Sequence, residues 1–575
     1  MFFSVSTRAL LLICIVILLA FTDSDNKPYP TDYFSPPVKT VMRLSGTFGE
    51  LRSNHFHSGI DIKGSIGVPL YAVGDGYVSR IKIEAGGYGN ALYITHPNGY
   101  TSLYAHMNGF IPELAEYVKS EQYAREEFAV DLYPQKGRFS INKGQRIGEM
   151  GTTGYSFGPH LHFEIRHSSN GAPINPLLFG MPVEDHQRPR MHQLKVYALN
   201  EQHEAQDAQV VSLVGKDGGY GVNKDTIYVD SDRVGFALKV YDHMDGVSNW
   251  NGIYKLDTYL EDELIYDFEM ETFTFEESRY LNAHLDYAEQ QLNKAYFNRC
   301  FRLPGNRLSI YHDQQDDGVV RLSQKRAKKI QMIASDAAGN NSQITFWVKQ
   351  RAGAVLEDTR QSYNYLLPYN QESVIDNGSM QLHMPRGALY ENCYLQYQLV
   401  TDRSNNVYSS VHQIHYATTP LHRSYDLSIR PVVLPESLRN KAFIALCEKD
   451  NEVTNYGGSW KNGMLHTQVR TFGDFCIMVD EVPPTVKPLN FKADLSGADR
   501  VDFIIGDNYD TGGNARSLTY RATIDGQWIL MKYDAKNDRI THYFENSLAA
   551  GQHEFRLVVS DALDNETVFE RTFTR

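Results

Sequence analysis

The chain reads as a mainly β protein, an N-terminal antiparallel sheet followed by about three β-sandwiches. Three observations predict this. From Thr40 to Leu178, short alternating runs are punctuated by glycine-rich turns. Tyrosine is abundant, 37 residues against 4 Trp, in a sequence of mean hydropathy −0.42, which suits sheets with one wet face. The stretches Ile330–Asn340 and Phe555–Asn565 repeat one pattern: an alternating strand, a Ser-Asp-Ala-x-x-Asn turn and a closing strand. At 575 residues the chain is too long for one core.

The elements follow in order. Residues 1–22 read as an export signal: Arg8, the apolar run Ala9–Phe21, then polar residues from Thr22. That run is short for a bilayer span. Cys14 lies inside it behind Ile13, where a lipidation signal needs a small residue. The expected location is periplasm, cell envelope or exterior.

Residues 23–182 form the sheet domain. Tyr77–Ile83, Ala91–His96 and Tyr100–His106 read as consecutive strands, turned by Gly86–Asn90 and by Pro97-Asn98-Gly99. In Pro112–Phe128, Leu114, Tyr117 and Val118 recur at helical spacing, which predicts a short amphipathic helix near 112–128, beside the cleft. Residues 183–352 and 483–575 read as Ig-like sandwiches around the two repeat copies. Residues 353–482 are a further β-sandwich, and Pro483-Pro484 a linker. Cys300, Cys393, Cys447 and Cys476 are widely spaced, and no pairing follows from their positions.

A net charge of −13 (56 basic, 69 acidic residues) argues against nucleic acid as a partner. The chemistry lies in three short motifs: His57-x-x-x-Asp61, Tyr104-x-His106 and His160-x-His162. On a strand, His160 and His162 face one way and Leu161 the other. Gly59 disfavours a helix and lets the His57–Asp61 pair fold around one point. Imidazole and carboxylate ligands suit Zn²⁺, and a catalytic zinc keeps an open position for water. His55 reads as exposed, His96 as turn structure and His167 as surface. Gly151 and Gly154 read as hairpin turns, since no Lys-Ser/Thr follows for phosphate.

These motifs stand among Gly67–Ala72, Asp75–Val78, Lys143–Gly148 and Gly151–Gly154. Together they resemble the catalytic domain of the lysostaphin-type (LytM-type) zinc endopeptidases of bacterial peptidoglycan. The resemblance covers residues 40–180. It implies one Zn²⁺ per chain, held by His57, Asp61 and His162, with His106 and His160 as catalytic residues beside it. It implies peptidoglycan peptide stems as substrate. A cell-envelope protein partner through the β-modules is also expected. The alternatives are an inactive regulator of another cell-wall hydrolase, or a wall-binding protein. The interval between His106 and His160 is longer than the family's, and the added material includes the helix. With no carboxylate base apparent near the motifs, the histidines carry proton transfer. The later modules hold no catalytic constellation, so residues 27–182 alone are expected to cleave a small peptide.

Overall fold

Alternation along one strand sets the architecture. In His160–His167, Leu161, Phe163 and Ile165 are fully buried in an apolar core, while His160, His162, Glu164 and Arg166 face the other way. The structure is a computed structural model. It describes residues 29–216, 218–224, 226–312, 315–358, 362–401, 406–448, 452–545 and 548–575. The leader read at residues 1–22 lies outside them. The chain is mainly β, with 45% strand and 8% helix. Among the described residues, no helix is long and apolar enough to cross a membrane.

The first sheet is built from β1 (Leu44–Gly46), β2 (Ile60–Lys63), β4 (Gly76–Ile83), β5 (Asn90–Thr95), β6 (Tyr100–Ala105), β8 (Val130–Leu132) and β11 (His160–His167). Their order is β1-β2-β11-β6-β5-β4-β8, with β9 (Ser140–Ile141) on β4. A smaller sheet pairs β3 (Pro69–Tyr71), β10 (Arg146–Met150) and β7 (Met107–Phe110). The expected meander Tyr77–His106 is β4-β5-β6, antiparallel throughout. Ile60, Ile62, Ile81, Leu92, Tyr104 and Phe163 close its core.

The expected helix spans Pro112–Arg125, with Pro112 opening its first turn and Glu126 in a left-handed cap at φ 54°. It buries Leu114, Val118 and Gln122, one residue per turn. Tyr117 is only half-buried, under Arg138 and against Phe139. The opposite side of the helix meets the end of the chain. Glu545 takes the Lys119 ammonium at 2.7 Å and the Tyr123 hydroxyl at 2.9 Å. Trp528 packs edge-on against Tyr123, and Arg521 pairs with Glu126. The helix is thus a bracket between the first sheet and the last.

Further β-sheet domains follow. An eleven-stranded sheet runs from Arg190 to Gln350. Residues 365–479 hold a two-, a five- and a six-stranded sheet, the last completed by Asp510–Thr511, and two four-stranded sheets take the other strands of 485–574. The two repeat copies are hairpins, Lys328–Ser335 with Asn341–Gln350 and Gln552–Ser560 with Glu566–Thr574. The first sheet is not sealed from its neighbour. Phe48 and Phe56 sit in the core of the following domain, their rings 5.1 and 5.4 Å from Phe273. The Phe56 amide donates to Ser278 Oγ at 2.9 Å, and Thr47 Oγ1 to the Gly252 carbonyl.

This shared core bears on the expectation that residues 27–182 alone cleave a small peptide, since that segment would lose part of its packing. A chain ending at residue 182 should expose both phenylalanines and aggregate. In the full chain, Phe56→Ala should lower stability by about 3–5 kcal/mol through the cavity it leaves. Denaturant melts of the two proteins check this; a soluble, cooperatively folded 27–182 fragment would refute the shared core.

Candidate metal centre

Register brings the predicted residues together. His162 on β11 lies directly across from Asp61 on β2, and on its other side from Ala105, the last residue of β6. Directly opposed residues share a face, so the imidazole and carboxylate meet. Gly59 makes this approach possible: a Cβ there would lie 2.3 Å from the Phe163 carbonyl oxygen and 2.8 Å from Glu164 Cγ. His57 precedes β2 and turns inward while Phe56 turns out into the next domain. His106 follows β6 in a left-handed conformation, φ 58°, which swings its ring beside that of His160, centroids 4.7 Å apart.

Each of the four histidines has one ring nitrogen committed. His57 Nδ1 donates to the Thr47 carbonyl at 2.7 Å, and His162 Nε2 to Glu164 Oε1 at 2.8 Å. His106 Nδ1 donates to the Thr153 carbonyl and His160 Nδ1 to that of Gly158, both at 2.8 Å. These acceptors fix the tautomers and leave the other nitrogen of each ring as a lone pair. The acceptors behind the site are themselves held. Gly154, at φ 70°, packs backbone to backbone against the Gly86–Gly89 turn, with no room for a Cβ. That contact anchors the loop carrying the Thr153 carbonyl.

His57 Nε2, His162 Nδ1 and Asp61 Oδ1 form a triangle with edges of 3.0, 2.9 and 3.1 Å. All three residues are buried. With each imidazole proton on the far nitrogen, three acceptors face one another, an arrangement that needs a positive charge between them. Tetrahedral ligands of a zinc ion stand about 3.3 Å apart, so the donor set fits one with a small outward adjustment. Asp61 Oδ2 is backed by Arg52 at 3.4 Å, and His160 Nε2 lies 3.6 Å from Asp61 Oδ1.

The electrostatics agree. Burial alone would raise the Asp61 carboxyl; His57 and His162 reverse this and hold it well below its usual range. Burial depresses His162, but its hydrogen bonds to the Asp61 and Glu164 carboxylates overcome it and lift the ring to about 9. The site thus takes up positive charge where it can. Burial, with His162 and His160 nearby, lowers His106 to about 3, and burial lowers His160, so both rings are neutral at neutral pH.

All five predicted residues are therefore in one pocket. His55 is exposed, as expected. His96 is buried and bonded to the Asp75 carbonyl and Ser102 Oγ, and His167 is half-buried against Tyr100. Sequence reasoning missed Glu164, a fully buried carboxylate that accepts from His162, Tyr88 and Ser58 on one oxygen and from Arg166 on the other. Burial would raise it; Arg166 and His162 hold it well below the usual carboxylate range. So paired, it orients His162 and is no candidate for a base.

The same residues fall within a match to a known family. A model of peptidase family M23 matches residues 55–123 and 134–176, interrupted where the helix ends. Residues 364–480 match a Zu5-like domain. The DD-carboxypeptidase/endopeptidase Mpg of Neisseria meningitidis serogroup B is 33% identical over 178 residues, 30% of this chain and 34% of Mpg. The murein hydrolase activator NlpD of Escherichia coli is 35% identical over 140 residues, 24% of this chain and 30% of NlpD. A mutant catalytic domain of the M23 protein EnpA from Enterococcus faecalis is 25% identical, with TM-score 0.19, covering 27% of this chain and 98% of that one. The chain spans about a third of the length of these curated relatives. It carries an N-terminal M23 (LytM-type) peptidase domain.

Glu164→Gln keeps the shape but removes the charge that holds His162. Metal affinity, measured by competition with a chromogenic chelator, should fall about 10- to 100-fold with the fold intact. Unchanged affinity would show that Glu164 serves only Arg166.

Proposed function

We propose that this chain is an exported zinc metalloendopeptidase that hydrolyses peptide cross-links of bacterial peptidoglycan. The observation that carries the reading is the buried triangle of His57 Nε2, Asp61 Oδ1 and His162 Nδ1, flanked by two neutral imidazoles. The M23 match over the same residues, and relatives named for peptidoglycan cleavage, support the substrate class. The leader at residues 1–22 supports export to the cell envelope.

In this reading, His57, Asp61 and His162 are the metal ligands, and His106 and His160 are the catalytic pair. Zn²⁺ held there supplies a Lewis acid that activates water near neutral pH and polarises the scissile carbonyl. The chain's own groups do the rest. Thr47 and Glu164 keep the His57 and His162 lone pairs turned inward. His106, neutral and anchored through Nδ1, offers Nε2 to take a proton and later return it to the leaving amine. His160, anchored on Gly158, offers its free nitrogen to the second proton of that water and, as an imidazolium, steadies the negative charge that develops. Tyr155 and Phe157 stand exposed on the loop before His160, as apolar grips for a peptide stem.

The domain plan goes with it: catalytic residues 23–182, Ig-like domains at 183–352 and 483–575, and a β-sandwich at 353–482. The later domains place the catalytic domain on the wall or on an envelope partner. A second reading, an inactive activator of another hydrolase, draws on the likeness to NlpD. It would not require His106 and His160 to be kept and anchored.

Purified sacculi digested with the full chain should release muropeptides whose masses reveal the bond cut. His57→Ala, Asp61→Ala and His162→Ala should each lose zinc and activity together. His106→Ala and His160→Ala should retain zinc and lose about 10²- to 10⁴-fold in rate. An intact sacculus after treatment with zinc-loaded protein would favour the activator.

A further inference from the structure

Two clusters of carboxylates stand outside the metal centre: Asp185, Asp242 and Asp336, and Asp480, Asp507 and Asp561. In each, the three residues bring oxygens within 4.8 Å of one another. The two are copies of one arrangement. The first aspartate stands just ahead of a β-sheet domain, and its Oδ1 accepts the amide two residues on, Gln187 or Val482. The second follows a buried strand, Arg233–Tyr241 or Arg500–Gly506. The third opens the repeated Asp-Ala-x-x-Asn turn. There Asn340 bridges Asp336 to the Asp185 carbonyl, as Asn565 bridges Asp561 to the Asp480 carbonyl.

Acidic turns alone do not make a site. Here the second aspartate points to a ligand. Asp242 is 2% exposed, and its Oδ1 has no hydrogen-bond partner among the described residues. Asp507 Oδ1 is unpartnered too, but its side chain is only part-buried and reaches solvent. A buried carboxylate oxygen without a partner, grouped with two other carboxylates, calls for a cation or a proton. Nearby positive groups are engaged elsewhere. His186 pairs with Asp245, and the Lys441 ammonium donates to the Leu563 carbonyl.

We propose that the first cluster, Asp185, Asp242 and Asp336, is a Ca²⁺ site that locks a β-sheet domain to the segment entering it. The donors are all carboxylate oxygens, a set that suits a hard cation and not a thiolate- or imidazole-seeking one. The second cluster repeats the arrangement without the buried orphan.

The test uses the full chain, stripped on chelating resin and reloaded with one equivalent of Zn²⁺, so that the outcome is independent of peptidase activity. Equilibrium dialysis against Ca²⁺ up to about 5 mM should find one ion per chain. Asp242→Asn should remove it, and Asp507→Asn in the second cluster should leave it bound. Thermal melts should rise by several degrees with Ca²⁺ in the wild type and not in Asp242→Asn. Zero bound Ca²⁺, or an ion still bound by Asp242→Asn, would each overturn the proposal.

Discussion

Three groups that converge on one point, and that need a proton or a cation among them, are the constraint on which this molecule's first domain is organised. His57 and His162 each turn one N–H outward, to Thr47 and Glu164. Asp61 meets their inward nitrogens as an anion. With nothing positive among them the three would repel, and the fold must hold them until a proton or a cation makes the arrangement favourable. The supports are correspondingly rigid: a backbone carbonyl, a fully buried carboxylate pinned by Arg166, and a β2–β11 register that no side chain at position 59 could tolerate. The strain is local and the compensation is spread over the sheet.

The support extends past the domain. Thr47 supplies the carbonyl for His57, and its neighbour Phe48 is buried in the next domain's core, as is Phe56 beside His57. The segment that carries one corner of the triangle is therefore clamped at both ends by Phe273 and its surroundings. Loosening that core would move His57 before it moved His162, which stands in mid-sheet. The second domain is part of the apparatus that sets the site, in addition to any part it plays in targeting.

What was legible in the sequence follows from the range of each signal. The His-x-His pair is a period-2 statement about one strand, and β11 obeys it. The three motifs resemble a known arrangement, which assigns five residues to one site. Glu164 continues the same period, 160-162-164-166, but a polar residue on an alternating strand reads as solvent-facing, and nothing local says that Tyr88 and Phe275 close over that face. Thr47 acts through its carbonyl, which has no side-chain signature. Phe48 and Phe56 announce burial without saying in which domain. The helix was readable from Leu114 and Val118. Its outer partners, Glu545 and Trp528, lie some four hundred residues away and are matched by no spacing. The repeat at Asp336 and Asp561 was visible; that each turn reaches back to Asp242 or Asp507 depends on topology.

The end of the chain returns to the rim of the site. Lys536 donates to the Ser156 carbonyl at 2.6 Å, and the Ala535 amide reaches the Ala85 carbonyl. Ser156 lies in the loop whose Thr153 and Gly158 carbonyls orient His106 and His160; Ala85 adjoins the Gly86–Gly89 turn beneath it. The helix bracket and this rim contact fix the last domain at two separated points, which restrains rotation as well as translation. A domain reached through more than three hundred residues can hold such a position only if the junctions along the way are themselves stiff. The acidic clusters stand at two of those junctions, ahead of residues 190 and 485. Their order, or its loss, would therefore be felt at the loop that aims the two neutral imidazoles, although neither cluster touches it.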